Sequence, residues 1–187
     1  LLKKIEKEIV AKAIGGMAKE GRPFIGCLYP GVMLTQEGPK VFEFNARLGD
    51  PETQTYMRLL DTDFLDIVDA SLDGKLPDLK IKWKKNVSAC NIAIASGGYP
   101  GKYKKGKIIS GIQKAEEDKN IIIFHAGTAQ KDGQLMTNGG RVLGISALGE
   151  SLKKALAAAY EAVSKVSFEG MRYRKDIGQN ALKKNSR

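Results

Sequence analysis

Apolar residues recur at three- and four-residue steps over the first twenty positions: Leu2, Ile5, Ile9, Ala13 and Met17. One face of an α-helix collects such positions, so the spacing predicts a helix over residues 2–20, with Gly21 as its C-terminal stop. The pattern then changes to short apolar runs. Residues 24–29, 32–35 and 40–46 read as strands, broken by Pro30-Gly31 and by the turn Gln36-Glu37-Gly38-Pro39. Asp50-Pro51 predicts a helix start, with a carboxylate to cap free N–H groups and a proline suited to the first turn. Residues 63–72 form a second helical pattern, ended by Gly74.

Residues 76–86 read as a linker that holds Pro77 and several lysines. Beyond it the chain turns β-rich. Strands are predicted over residues 87–95, 107–112, 121–129 and 141–147, with a tight loop over 96–101. Lys131-Asp132-Gly133 and Asn138-Gly139-Gly140 are hairpin signals. Leu152, Ala155, Leu156, Ala159 and Val163 mark the buried face of a helix over residues 151–165. The tail from residue 171 reads as basic and irregular. The expected fold class is α+β. An antiparallel sheet with helices occupies residues 1–75, and a smaller β-rich domain with a closing helix occupies residues 87–187.

Composition narrows the function classes. Charged residues make up 28% and hydrophobic residues 42%, a globular balance rather than a disordered one. No apolar run is long enough to span a bilayer. The opening has no secretory layout and no initiator Met, which suggests a piece cut from a longer, cytoplasmic chain. Cys27 and Cys90 stand far apart with no Cys/His cluster, so they read as reduced thiols rather than zinc ligands. Net charge is uneven. Residues 1–75 carry 10 Lys/Arg and 12 Asp/Glu, or −2; residues 76–187 carry 21 and 9, or +12. A basic half is compatible with nucleic acid. Its cations are scattered, however, apart from Lys102, Lys104, Lys105 and Lys107, and no nucleic-acid motif accompanies them. A solvated basic surface, or one that faces a phosphorylated small molecule, fits better.

The chemistry is concentrated in one stretch, Glu43-Phe44-Asn45-Ala46-Arg47-Leu48-Gly49-Asp50-Pro51-Glu52. On a strand, Glu43, Asn45 and Arg47 share one face, with neighbours of that face roughly 6.5–7 Å apart. A carboxylate and an amide oxygen at that spacing suit a hard cation such as Mg²⁺, which takes few protein ligands and fills its shell with water and phosphate. An arginine one step on could grip a phosphoryl oxygen with its planar fork. The triplet alone is also compatible with a plain wet sheet face.

The longer string Glu-Phe-Asn-Ala-Arg-Leu-Gly-Asp-Pro-Glu-Thr-Gln resembles the metal-binding strand and following turn of the glycinamide ribonucleotide synthetase family of ATP-grasp ligases. So do Gly26-Cys-Leu-Tyr-Pro-Gly-Val-Met-Leu34 ahead of it and, later, Gly98-Tyr99-Pro100-Gly101, Phe124-His125-Ala126-Gly127-Thr128, Thr137-Asn138-Gly139-Gly140-Arg141-Val142-Leu143-Gly144 and Tyr173-Arg174-Lys175-Asp176-Ile177-Gly178. The match runs through nearly the whole chain in order. It implies the second part of an ATP-grasp lobe followed by a C-terminal domain. It also implies an ATP-dependent ligase of purine biosynthesis that joins glycine to 5-phosphoribosylamine, giving ADP and phosphate. By the resemblance, Glu43 and Asn45 would hold Mg²⁺ or Mn²⁺ on the ATP phosphates, and Arg47 would steady the transferring phosphoryl group. Asp50 would orient a substrate amine or cap a helix. Arg141 would meet the sugar phosphate or remain a solvated turn residue. The loop of residues 97–101 would close over substrate or be only a tight turn. His125, the single histidine, reads as a structural, partly buried residue.

The family's N-terminal lobes, with the nucleotide-clamping lysine and glycine-rich lid, have no counterpart here. The chain is expected to need them as partners and to be inactive alone. Two other readings remain at this point: a different ATP-grasp carboxylate–amine ligase, and a non-catalytic basic module that binds RNA through residues 76–187.

Overall fold

The computed structural model describes residues 1–184 as two compact units. Of the described residues, the first comprises 1–50 and 61–82, and the second comprises 51–60 and 83–184. The segment 51–60 thus packs with the second unit, although the sequence pattern places it within residues 1–75.

In the first unit, helix α1 (Leu2–Ile5) runs through a π-helical turn (Glu6–Val10) into α2 (Ala11–Lys19). Gly21, at φ +73°, ends it. Its N–H meets the Ala18 carbonyl at 3.1 Å and the Arg22 N–H meets that of Met17 at 2.9 Å, the paired bonds of a left-handed helix stop. Strands β1 (Tyr29–Thr35) and β2 (Gly38–Asn45) form an antiparallel ribbon. β1 runs on through Pro30-Gly31, where the sequence pattern places a break, but its register with β2 shifts between Gly31 and Val32, and residues 24–28 are not strand. A proline is tolerated on a strand with an unpaired edge, because its missing N–H costs no ladder bond there. Helix α4 (Phe64–Leu72) follows the pattern closely. Asp63 caps it by accepting from the Leu65 N–H at 2.8 Å, and Gly74 lies beyond its end at φ +71°.

The second unit is built on four antiparallel strands in the order β4 (Ile121–His125), β7 (Arg141–Gly149), β3 (Ser88–Ala95) and β8 (Arg172–Tyr173). Strand β7 is buried from Val142 to Ala147. Helix α6 (Leu152–Lys165) packs on β3 and β7, and so does α3 (Thr53–Leu59). Ala155, Leu156, Ala159, Ala162 and Val163 are the buried stripe of α6. The alanines bring its backbone close to the sheet, and each fully buried branched residue of the core (Ile92, Ile94, Ile145, Val163) contributes about 1.5–3 kcal/mol. Ser151 caps α6 through the Lys154 N–H at 3.3 Å.

Several predicted elements differ. The run 107–112 is not a strand. It makes single bridges, Ile108 to Met136 and Ser110 to Ser167, before Gly111 starts α5 (Ile112–Ala115). The run 121–129 splits at Ala126-Gly127 into β4 and β5 (Thr128–Lys131). Asp132-Gly133 does form the predicted hairpin, joining β5 to β6 (Gln134–Thr137), with φ of +50° and +75°. Asn138-Gly139-Gly140 is not a hairpin, since β6 pairs with β5 while β7 pairs with β4 and β3. Residues 171–184 are not wholly irregular: they hold β8 and a helix α7 (Gln179–Lys184), so α6 is not the final element, and the rest of the tail lies outside the described residues. Tyr160 holds the tail, donating to the Arg174 carbonyl at 2.9 Å and accepting from the Ile177 N–H at 3.1 Å.

Candidate active site

Glu43 and Asn45 lie near the end of β2, where the two-residue pleat points both the same way. Asn45 Nδ2 donates to Glu43 Oε1 at 3.1 Å and lies 3.5 Å from the Tyr29 carbonyl. With the amide nitrogen engaged, Asn45 Oδ1 and Glu43 Oε2 are the oxygens of the pair that could serve a cation. The partner strand makes room for this. Gly31 stands opposite Glu43, and a Cβ at 31 would lie 2.7 Å from Glu43 Cγ and 2.6 Å from the Phe42 ring. Gly31 was not a sequence candidate, although a glycine inside a strand is the ordinary signal for such close approach.

Arg47 falls outside the strand. β2 ends at Asn45, and residues 46–47 form a bend, so simple alternation does not set its direction. Its Nη1 donates to the Leu48 carbonyl at 3.0 Å, which folds the side chain back along the turn and leaves the rest of an exposed guanidinium outward. Asp50 and Pro51 sit in the turn before α3, not at its first positions. The helix begins at Thr53, after a turn over residues 50–52, and its N-cap position is Glu52, whose side chain makes no cap bond.

In the second unit, Arg141 opens β7 as an exposed residue after Gly139-Gly140. Ser96 fixes that turn, donating from Oγ to the Gly139 carbonyl and from its N–H to the Gly140 carbonyl, both at 2.8 Å. Gly140 gives space to Tyr99, whose ring carbon would stand 2.2 Å from an added Cβ. The loop of residues 97–101 is therefore packed against the glycine turn. His125 is at the end of β4 and exposed, rather than mid-strand and partly buried. Its Nδ1 lies 3.1 Å from Thr128 Oγ1. Cys90 is buried, and burial pushes its thiol up to about 11. Cys27 is half-buried, and both cysteines are free.

Among the described residues no group of three or more His, Cys, Asp or Glu gathers as a metal cage. The Glu43–Asn45 pair still fits a magnesium-type ion. Such an ion needs only one or two protein oxygens when phosphates and water complete its shell.

Family models decide the relationship. The ATP-grasp (A) domain of phosphoribosylglycinamide synthetase matches residues 1–53, and its C domain matches residues 89–180. The chain belongs to the phosphoribosylglycinamide synthetase family. It is 54% identical over 176 residues to the phosphoribosylamine–glycine ligase of Caldanaerobacter subterraneus subsp. tengcongensis, a match covering 94% of this chain and 41% of that protein. It is 47% identical over 182 residues to the trifunctional purine biosynthetic protein adenosine-3 of Gallus gallus, covering 97% of this chain and 18% of that one. The crystal structure of phosphoribosylamine–glycine ligase from Thermotoga maritima superposes with a TM-score of 0.79 at 39% identity, over 94% of this chain and 42% of that chain. N5-carboxyaminoimidazole ribonucleotide synthetase from the same organism shares the fold, with a TM-score of 0.52 at 14% identity over 85% of this chain and 41% of that chain. The chain therefore spans well under half the length of these relatives.

Proposed function

We propose that this chain is the metal-binding and C-terminal part of an ADP-forming ligase that joins glycine to 5-phosphoribosylamine in purine biosynthesis. The observation that carries the reading is the Glu43–Asn45 pair, set side by side on a strand within the segment that matches the ATP-grasp domain. In the proposed reaction a glycine carboxylate oxygen attacks the γ-phosphorus of ATP, and ADP leaves. The amine of phosphoribosylamine then attacks the acyl carbon of glycyl phosphate, loses a proton and expels phosphate. Mg²⁺ or Mn²⁺ held by Glu43 and Asn45 would supply charge neutralisation at the ATP phosphates.

Arg47 contributes a planar cation whose free N–H groups can hold the transferring phosphoryl or acyl-phosphate oxygens, and its bond to the Leu48 carbonyl limits its swing. Asp50, in the adjoining turn, is assigned to orienting the substrate amine, and Arg141 to the sugar phosphate. The rest of the enzyme supplies the nucleotide-clamping lobes. The exposure of Phe42 and Phe44 on β2 and of Met33 and Leu34 on β1 is in keeping with this, since a ribbon with bare apolar side chains offers surface for another part of the protein to cover. None of the helices among the described residues is long and apolar enough to cross a membrane. A cytoplasmic location belongs to the same proposal, as fits a biosynthetic ligase.

The test is an ADP-release assay on the full-length protein. Release that requires both glycine and phosphoribosylamine is expected. Release with another carboxylate–amine pair instead would move the chain to a different ATP-grasp ligase.

A further inference from the structure

A cleft of about 380 Å³ opens on the second unit, away from β2 in sequence and built from two loops. Its floor is backbone. Gly97 and Gly170 approach so closely that a Cβ at 97 would sit 2.8 Å from the Gly170 carbonyl oxygen. Its walls are cationic, with Lys102, Lys104 and Lys107 set against a single carboxylate, Glu169. Lys107 is not splayed into water. Its side chain keeps 26% exposure, and its Nζ lies 2.5 Å from Glu169 Oε2 on a side chain that is 76% exposed. The ammonium is the sheltered partner and the carboxylate the exposed one. Lys107, through its hydrogen bond first and its charge second, holds the Glu169 carboxyl below its ordinary range, and Lys104 adds to this from the same cleft.

The volume falls within the range of small-molecule sites, roughly 300–1,000 Å³. Ammonium groups act as point charges toward phosphate oxygens, and three of them against one carboxylate leave a cationic excess that a dianion neutralises. Tyr103 adds a ring face at the same cleft, suited to the carbon skeleton of a sugar. We propose that this cleft binds the phosphate of a small phosphomonoester, with Lys104 and Lys107 as anchors and Glu169 displaced from Lys107 on binding. The site shares Ser96 with the turn ahead of Arg141. Its ligand is therefore either a phosphorylated substrate of the activity proposed above or a separate small effector. The inference itself rests on the cleft and not on that activity.

Calorimetric titration of the 187-residue chain with ribose 5-phosphate at low salt, with ribose as control, tests it. Saturable binding of ribose 5-phosphate alone is expected. Lys104→Ala with Lys107→Ala should weaken it at least tenfold, Lys107→Arg should retain it, and Glu169→Gln should tighten it severalfold. An amide NMR spectrum of each variant checks that the fold is kept. Absence of binding, unchanged binding by the double variant, or an equal loss in Lys153→Ala with Lys154→Ala on α6 would overturn the proposal; the last would show only diffuse basic charge. Kinetics of the full-length protein then identify the source. A raised KM for the phosphorylated amine in the double variant, with the KM for ATP unchanged, supports the substrate. Unchanged turnover beside lost ribose 5-phosphate binding supports an effector.

Discussion

Arg58 donates from Nη2 to the carbonyl oxygen of Asn120 at 3.0 Å, while Nη1 of the same guanidinium is buried without a partner. The residue is only 8% exposed, and burial lowers its pKa. A buried cation with one hydrogen bond and no carboxylate carries a desolvation cost that little offsets. The Asn120 oxygen does not depend on it, since the Leu148 N–H also reaches that oxygen at 3.0 Å. Arg58→Met, which keeps the volume and removes the charge, should therefore leave the melting temperature unchanged or raise it. Arg58→Ala, which opens a cavity, should lower stability by about 2 kcal/mol or more. Thermal melts of the two variants check this, and a large loss in Arg58→Met would show that the charge has a partner of value.

The metal pair should separate function from folding. Glu43 is exposed and Asn45 half-buried on a two-stranded ribbon, so Glu43→Gln and Asn45→Ala should each change stability by no more than about 0.5 kcal/mol. In the full-length protein each should cost about 10²–10³ in kcat with Mg²⁺ and ATP. Gly31→Val should give a similar loss with both ligand residues left in place, because its side chain would overlap Glu43 Cγ and displace the carboxylate. Steady-state kinetics beside chemical denaturation measure both quantities. Wild-type turnover in the double variant at Glu43 and Asn45 would remove them from the site.

What was legible in the sequence was what local chemistry dictates. Gly21 and Gly74 end their helices and Asp132-Gly133 turns a hairpin, each through a backbone preference that needs no distant partner. The Glu43–Asn45 pair was legible for the same reason, since strand alternation places both. Arg47 was not, because one bend after Asn45 undoes alternation. Asn138-Gly139-Gly140 has hairpin composition, yet the strand that follows pairs with β3 and β4, a choice made by the buried run Val142–Ala147 rather than by the turn. Residues 107–112 have strand composition, but their neighbours offer only single bridges. The pairing of Lys107 with Glu169 joins positions 62 residues apart, and no local pattern announces it.

Cys90 links stability to alkaline pH. Its thiol is raised to about 11 by burial, whereas an unfolded thiol ionises near 8.5–9. Between these values the folded state holds a proton that the unfolded state has lost, so stability falls as pH rises through that window and is unaffected below it. Cys90→Ala should flatten this part of the curve, and the difference between the two proteins isolates the contribution of Cys90. Denaturant midpoints at pH 7, 9 and 10.5 measure it. In the native protein below pH 8, a thiol reagent should modify Cys27 faster than Cys90, which is neutral and only 6% exposed.

The glycine turn ahead of Arg141 makes a last, paired prediction. An added Cβ at Gly140 would meet Tyr99 Cδ2 at 2.2 Å and Tyr103 Cε1 at 3.2 Å. The backbone there has little freedom to retreat, because the carbonyls of Gly139 and Gly140 are both held by Ser96. Gly140→Ala should therefore destabilise by about 1–3 kcal/mol through overpacking. Tyr99 is 43% exposed, so Tyr99→Ala alone should cost less than a core truncation. In the double variant the Cβ would occupy space the ring has vacated, and the two losses should fall short of their sum by about 0.5 kcal/mol or more. A double-mutant cycle by denaturant unfolding measures that difference. Strict additivity would mean that the loop swings aside freely, and that Tyr99 does not hold the turn that presents Arg141.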